Sequence, residues 1–301
     1  MTMFDFLKGG KAKLHVTLDR PMLPYYRGDT VHATVTIEGE KELKIQEARV
    51  ALVCHEEYQY RHESRERDSD GHYHTETHTS WATDEQVIQQ QQLMGQGAIP
   101  SNFMQTYEFS AAIPAGAPPT CDGGRIVRVK WMVKATLDRK LAGDIEEKAE
   151  LLVFVTPPGS MVSPGEFGLS NEPQEANLAL ALPCKEWVLG ETIQGQLLVR
   201  PQKAFDATEV RVELVRVENV PRDRGNENKE EVKVKLAGKT KLQPGQDMAI
   251  PFSVAIPSPR PVSGPTRNST INWKLRGVLA RFMRGDTLVE EEIFVHSGRP
   301  A

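Results

Sequence analysis

The chain is predicted to be all-β: two tandem antiparallel β-sandwich domains produced by an internal duplication. Three observations point there. The hexamer Phe109-Ser110-Ala111-Ala112-Ile113-Pro114 returns, with one change, as Phe252-Ser253-Val254-Ala255-Ile256-Pro257. At least seven short segments in each half alternate apolar and polar residues, the period of a strand with one buried face. Gly 23 and Pro 20 supply the turns that short strands require.

The repeat extends well beyond the hexamer. Arg27-Gly28-Asp29-Thr30-Val31 aligns with Leu189-Gly190-Glu191-Thr192-Ile193 at an offset of 162, which Val50/Val212 and Leu52/Leu214 keep. At the hexamers the offset is 143, so the first copy carries about 19 extra residues between these landmarks. Downstream, Trp131 meets Trp273, Leu137 meets Leu279, Arg139 meets Arg281, and Phe154-Val155 meets Phe294-Val295. Preserved order and spacing are the signature of one structural unit used twice.

Each element follows in order. Leu14, Val16 and Leu18 share one face of a strand that Pro21 and Pro24 end. Val31 to Ile37 and Ile45 to Tyr58 alternate in the same way. From His55 to Ser80 the chain is polar, and Asp70-Gly71 is a hairpin turn signal. This stretch reads as a solvated ribbon projecting from the sandwich, pairing Tyr60 with Trp81 and Arg65 with Glu76, with a disordered loop as the alternative reading. Gln89 to Gln92 reads as a helical or irregular return. Phe109 to Ile113, Ile126 to Leu137 and Ala149 to Val155 complete the first copy. The expected boundaries are 1–158 for the first domain, with its insertion at about 55–95, 159–176 for a Pro/Gly/Ser linker, and 177–301 for the second domain.

Composition excludes several classes. A net charge of −4 and a pI near 6.1 offer no basic surplus for nucleic acid. No apolar run nears the about 18 residues of a membrane span. The N-terminal residues lack an export signal, so the expected compartment is the cytoplasm. Cys54, Cys121 and Cys184 are odd in number and far apart, and are expected to be buried reduced thiols. No nucleophile motif, phosphate loop or catalytic carboxylate pair stands out, so no cofactor and no enzymatic activity are expected. Arg27-Gly28-Asp29 and Arg284-Gly285-Asp286 read as turns.

The ordered set of motifs resembles the arrestin fold. The residues that carry the resemblance are the Gly-acid-Thr turns at Gly28-Asp29 and Gly190-Glu191, the Phe109 to Pro114 edge, and Trp131-Met132-Val133-Lys134-Ala135-Thr136-Leu137-Asp138-Arg139. The last looks like a strand of alpha-arrestin N-domains, with Trp where Tyr is usual. The resemblance spans the chain and implies immunoglobulin-like sandwiches serving as a non-catalytic adaptor or scaffold. It fits best the bacterial sporulation-control arrestin-like type. Pro157-Pro158-Gly159-Ser160 lacks the tyrosine of a Pro-Pro-x-Tyr sequence, so recruitment of ubiquitin ligases is not implied. Only six residues follow Val295, and no regulatory tail is expected.

The expected partner is a protein, bound by sheet edges or by the insertion, with weak homo-oligomerisation through edges as a further expectation. The candidate contact residues are Arg65, His72, His74, Glu76, His78 and Trp81. Five of the eight histidines lie in the insertion. His72, His74, Glu76 and His78 would share one face of an extended strand, the donor types of a zinc site. Same-face neighbours about 7 Å apart do not easily converge on one ion, which leaves an exposed polar strand as the other reading. A pH response of the insertion, whose formal charge is −4 over residues 55–80, is a third. A metal-binding or stress-related accessory role stands as the alternative function. Asp138, Arg139 and Arg281 end matching strands and are candidates for an interdomain charge network.

Overall fold

The computed structural model describes residues 12–67, 70, 72–140, 142–158, 163–221 and 225–298. Gly71, Gly159 and Ser160, which carried the hairpin-turn and linker expectations, lie outside the described residues. The described residues contain strands and turns and no α-helix. Two compact units emerge: residues 12–57, 83–120 and 129–154 form the first, and residues 58–82, 121–128 and 155–298 the second.

In chain order the first half contributes β1 (Ala12–Leu18), β2 (Tyr25–Tyr26), β3 (Thr30–Gly39), β4 (Leu43–Ile45), β5 (Glu47–Arg67), β6 (Tyr73–Met94), β7 (Gly97–Ile99), β8 (Met104–Ala112), β9 (Val127–Asp138), β10 (Ile145–Leu151) and β11 (Val153–Phe154). They make sheets ordered β1-β3-β8 and β10-β9-β5-β6, with small pairs β4-β7 and β2-β11. Val31, Val35, Ile37, Leu52, Trp131, Val133 and Leu137 are buried, every second residue of their strands, as period-two patterning requires.

The second half contributes β12 (Gly165–Phe167), β13 (Leu169–Ser170), β14 (Ala176–Leu182), β15 (Glu186–Val188), β16 (Thr192–Pro201), β17 (Phe205–Ala207), β18 (Glu209–Val220), β19 (Asn226–Ala237), β20 (Thr240–Leu242), β21 (Met248–Ala255), β22 (Gly264–Pro265), β23 (Thr270–Ala280) and β24 (Thr287–His296). Its sheets run β12-β14-β16-β21 and β13-β24-β23-β18-β19, with β17-β20 apart. Strands β14, β16, β21 and β24, β23, β18, β19 thus repeat β1, β3, β8 and β10, β9, β5, β6. The segment read as a linker bears β12 and β13, which pair β14 and β24.

The repeat holds at the level of single hydrogen bonds. Gly28 N–H donates to Ile113 O and Ile113 N–H to Asp29 O; Gly190 N–H donates to Ile256 O and Ile256 N–H to Glu191 O. The acid after each glycine accepts from the backbone three residues earlier, Asp29 from Tyr26 and Glu191 from Val188. Both glycines sit at positive φ, +88° and +84°, where a side chain would be strained, so the Gly-acid pair is a turn requirement. Trp131 Nε1 donates to Pro118 O and Trp273 Nε1 to Pro261 O. Arg139 and Arg281 N–H each donate to an aspartate five residues on, Asp144 and Asp286. Along β5 and β18, burial agrees at every position from Glu47/Glu209 to Tyr58/Val220 except Glu57/Asn219. In that register Glu56 answers Glu218, and Cys54 answers Arg216.

The inserted residues go into strand length. β5 has 21 residues and β6 has 22, against 12 in each of β18 and β19. The intervening residues, 68–72 and 221–225, are equal in number.

The expectation of a helical or irregular Gln89–Gln92 is corrected: these residues are strand, within β6. Gln89 Nε2 donates to Ser110 O at 2.9 Å and Gln91 Nε2 to Glu108 O at 3.3 Å, so alternate amides reach the outer edge of β8. An amide on every second residue matches the pleat, and these bonds occupy carbonyls that an incoming strand would use. Replacing Gln89 and Gln91 by alanine is expected to cost about 1 kcal/mol per bond. The freed edge should raise self-association, read as a concentration-dependent shift in sedimentation; unchanged sedimentation would refute this role.

Cys54 and Cys121 are buried free thiols, as expected, whereas Cys184 is only half-buried. Burial pushes the Cys54 and Cys121 thiols up to about 12, reinforced by nearby Glu56 and Glu218 respectively, so neither is a ready nucleophile.

Candidate functional site

The ribbon, residues 58–82, groups with the second unit. Gln59 N–H donates to Ile126 O at 2.8 Å, and the buried Asn226 amide donates to Gln59 Oε1 at 2.9 Å. Rings run in succession along it: Tyr58, Tyr60, His62 and His78 follow one another at centroid spacings of 6.5, 5.6 and 5.8 Å. Such a ladder gives a polar ribbon lateral packing without aliphatic residues.

The six predicted contact residues all lie on this ribbon. Arg65, His72, His74, Glu76 and Trp81 are exposed and His78 is half-buried. His74 Nε2 lies 3.0 Å and His78 Nε2 3.8 Å from the Glu76 carboxylate, so these three do share a face. Among the described residues no group of three or more histidine, cysteine or acidic side chains converges to hold a metal ion. Two aromatics that the sequence reading had only in part stand out. Tyr73 is 70 % exposed with the Arg67 guanidinium 5.8 Å from its ring centroid. Trp81 is 41 % exposed with Arg128 at 4.7 Å.

Asp138, Arg139 and Arg281 find their described partners separately. Asp138 pairs with Arg49 at 3.4 Å. Arg139 Nε donates to Gly143 O at 2.6 Å. Arg281, nearly buried, lies over the Phe205 ring and pairs with Glu172 at 3.1 Å and Glu175 at 3.0 Å. Arg281 does anchor a charge network, but with acids of its own unit.

The most deeply buried charge cluster of the second unit was not anticipated. Glu218 is fully buried on β18. Its carboxylate accepts the backbone N–H groups of Arg125 at 2.8 Å, Ile126 at 2.8 Å and Val127 at 3.2 Å. Three successive donors converge because the loop closes tightly at Gly124, where a Cβ would meet Val127 O at 1.8 Å. Arg216 Nη2 lies 2.9 Å from Glu218 and 2.9 Å from Glu230, and Arg125 Nε lies 2.6 Å from Glu230. The sequence did hold a signal: glutamates recur at 56 and 218 on the apolar parity of matching strands, where a charge must be paired.

Residues 14–157 match the family described as "Arrestin (or S-antigen), N-terminal domain". Residues 174–280 match the family described as "SpoOM protein". The chain is an arrestin-fold protein. Its second match relates it to bacterial sporulation-control proteins. A comparison with curated proteins finds no match. The two matches fall one on each copy of the duplication, the arrestin N-terminal model on the first and the SpoOM model on the second. The arrestin-fold family is generally non-catalytic. No helix of the described residues is long and apolar enough to cross a membrane.

The charge clusters are expected to shape the acid stability of this arrestin-fold protein. Burial raises the Glu230 carboxyl, but the Arg125 hydrogen bond and the Arg216, Arg125 and Arg260 charges outweigh it and hold the group below its ordinary value. Glu290, between Lys274 and Arg276, is likewise held down against burial. A carboxylate depressed in the folded state stabilises above its unfolded value, about 4.3, and loses that contribution as pH falls through the folded value. Urea midpoints are therefore expected to be flat near neutrality and to fall below about pH 4.3. Glu230→Gln should flatten that acid limb; an unaltered limb would remove Glu230 from the account.

Proposed function

We propose that this arrestin-fold protein is a non-catalytic scaffold or adaptor that binds a protein partner, in a regulatory setting such as the control of sporulation. The observation that carries the reading is the pair of exposed aromatics on the ribbon, each beside an arginine: Tyr73 with Arg67, and Trp81 with Arg128 of β9. Tyr, Trp and Arg are the side chains over-represented at interface hot spots, because each combines a large apolar face with a polar end. The strand-only insertion supports it further, since it lengthens the surface that carries these side chains. Arg65, His72, His74, Glu76 and His78 would then form the polar surround of the two aromatics. The match to sporulation-control proteins supports the regulatory setting.

The test uses the full chain as bait in extract of its host, with the double variant Tyr73→Ala/Trp81→Ala beside it. A partner retained by the parent, then purified and titrated, is expected to bind the double variant about 30-fold more weakly or worse, the loss typical of hot-spot truncation. Equal affinity for parent and variant would defeat the reading.

A further inference from the structure

A cleft of about 350 Å³ opens in the second unit, with Leu214, Val232 and Trp273 on its apolar side and Arg216, Arg260, Glu230 and Glu231 among its polar lining. Its chemistry is unusual. Arg216 is only 2 % exposed, and its Nη2 serves both Glu218 and Glu230. Among the described residues its Nε and Nη1 have no hydrogen-bond partner. A buried guanidinium with two idle donors is costly, so something should account for it.

The internal copy does not share it. β5 and β18 share one burial pattern, and the position answering Arg216 is Cys54, a small thiol that is also buried. Glu56 stays buried there with no arginine at that position. One sandwich thus forms around a thiol where the other holds a charge; here Arg216 pairs with Glu218 and Glu230 and lies 5.9 Å from the Trp273 ring centroid, which still leaves its Nε and Nη1 idle.

We infer that this cleft binds the carboxylate of a small monoanionic ligand, held by the idle donors of Arg216 and by Arg260, with its apolar body against Trp273, Leu214 and Val232. Charge selects a monoanion. Arg216 and Arg260 share the cleft with the Glu230 and Glu231 carboxylates, so the site tolerates one added negative charge better than two. A dianion such as phosphate would bring a second negative charge against the Glu230 and Glu231 carboxylates. The inference stands apart from the ribbon reading, because it uses none of the ribbon's exposed side chains.

The experiment is a titration of the full chain, followed by the arginine Nε–H and tryptophan Nε1–H resonances of ¹⁵N-labelled protein. The probes are sodium butyrate, butyramide, inorganic phosphate, N-acetylleucine and N-acetylleucinamide. Saturable shifts of the Arg216 and Trp273 signals with butyrate, and none with butyramide, are expected. No saturable shift, equal shifts with the amide, or tighter binding of phosphate would each overturn the assignment. Tighter binding of N-acetylleucine than butyrate supports it with a peptide C-terminus as the source; the reverse order supports it with a free acid. Arg216→Met is expected to abolish the shift but bares Glu218, so two milder variants accompany it. Arg260→Ala should weaken butyrate about threefold or more, and Glu230→Gln should tighten it by a similar factor. A gain of binding has no explanation in misfolding. Unchanged affinity in both variants would defeat the proposal.

Discussion

Glu218→Ala is expected to lower the stability of the second unit by about 3–5 kcal/mol, the range for deleting one member of a buried pair. The mechanism is specific. The change leaves the N–H groups of Arg125, Ile126 and Val127 without their acceptor and deprives Arg216 of its closest buried counter-charge. An unpaired buried donor forfeits its hydration and receives nothing in return, which is why removing one partner hurts more than removing both. With a urea slope of about 3 kcal/mol per molar, the midpoint should fall by roughly 1–2 M. Glu218→Gln keeps one carbonyl oxygen and should lose less. A midpoint within 0.2 M of the parent for the alanine variant, on a scale of roughly 1 M per 3 kcal/mol, would mean that water replaces the carboxylate at no cost.

The second large effect is expected at the two duplicated tryptophans. Trp131→Ala and Trp273→Ala each empty a site that is 1–2 % exposed and break an indole bond to a proline carbonyl. Truncations of this size in cores cost about 3–5 kcal/mol, the transfer of the lost atoms plus the cavity left behind. Each variant should weaken the unit in which its tryptophan sits. Hydrogen exchange distinguishes them: Trp131→Ala should speed exchange on β3, β8 and β9, and Trp273→Ala on β16, β21 and β23. Loss of protection confined to the other unit in either variant would contradict the assignment of these residues to separate cores.

The architecture was legible because it rests on local requirements that a sequence displays. Gly28 and Gly190 mark turns only glycine makes easily, and the acid after each closes the same backbone bond. Alternation revealed β3, β9, β16 and β23 because one face of each is buried. Gln89–Gln92 were misread since nothing in a polar tract distinguishes solvent from a neighbouring strand's carbonyls; only the proximity of β8 turns those amides into edge bonds. The partners of Arg281 were missed for a similar reason. Glu172 and Glu175 sit in a stretch whose prolines and glycines read as linker, yet they reach Arg281, just past β23, and Glu172 also Thr287 of β24. The ribbon's attachment through Gln59 and Asn226 joins residues 167 positions apart, which no local pattern announces.

Growth of the first copy by strand length has a mechanical meaning. Nine or ten additional residues per strand, at about 3.4 Å each, add roughly 30 Å of reach. Each paired addition would displace the far end by one fixed increment while leaving the roots unchanged. The hairpin is in that sense an adjustable spacer, and its span can evolve without renegotiating the core.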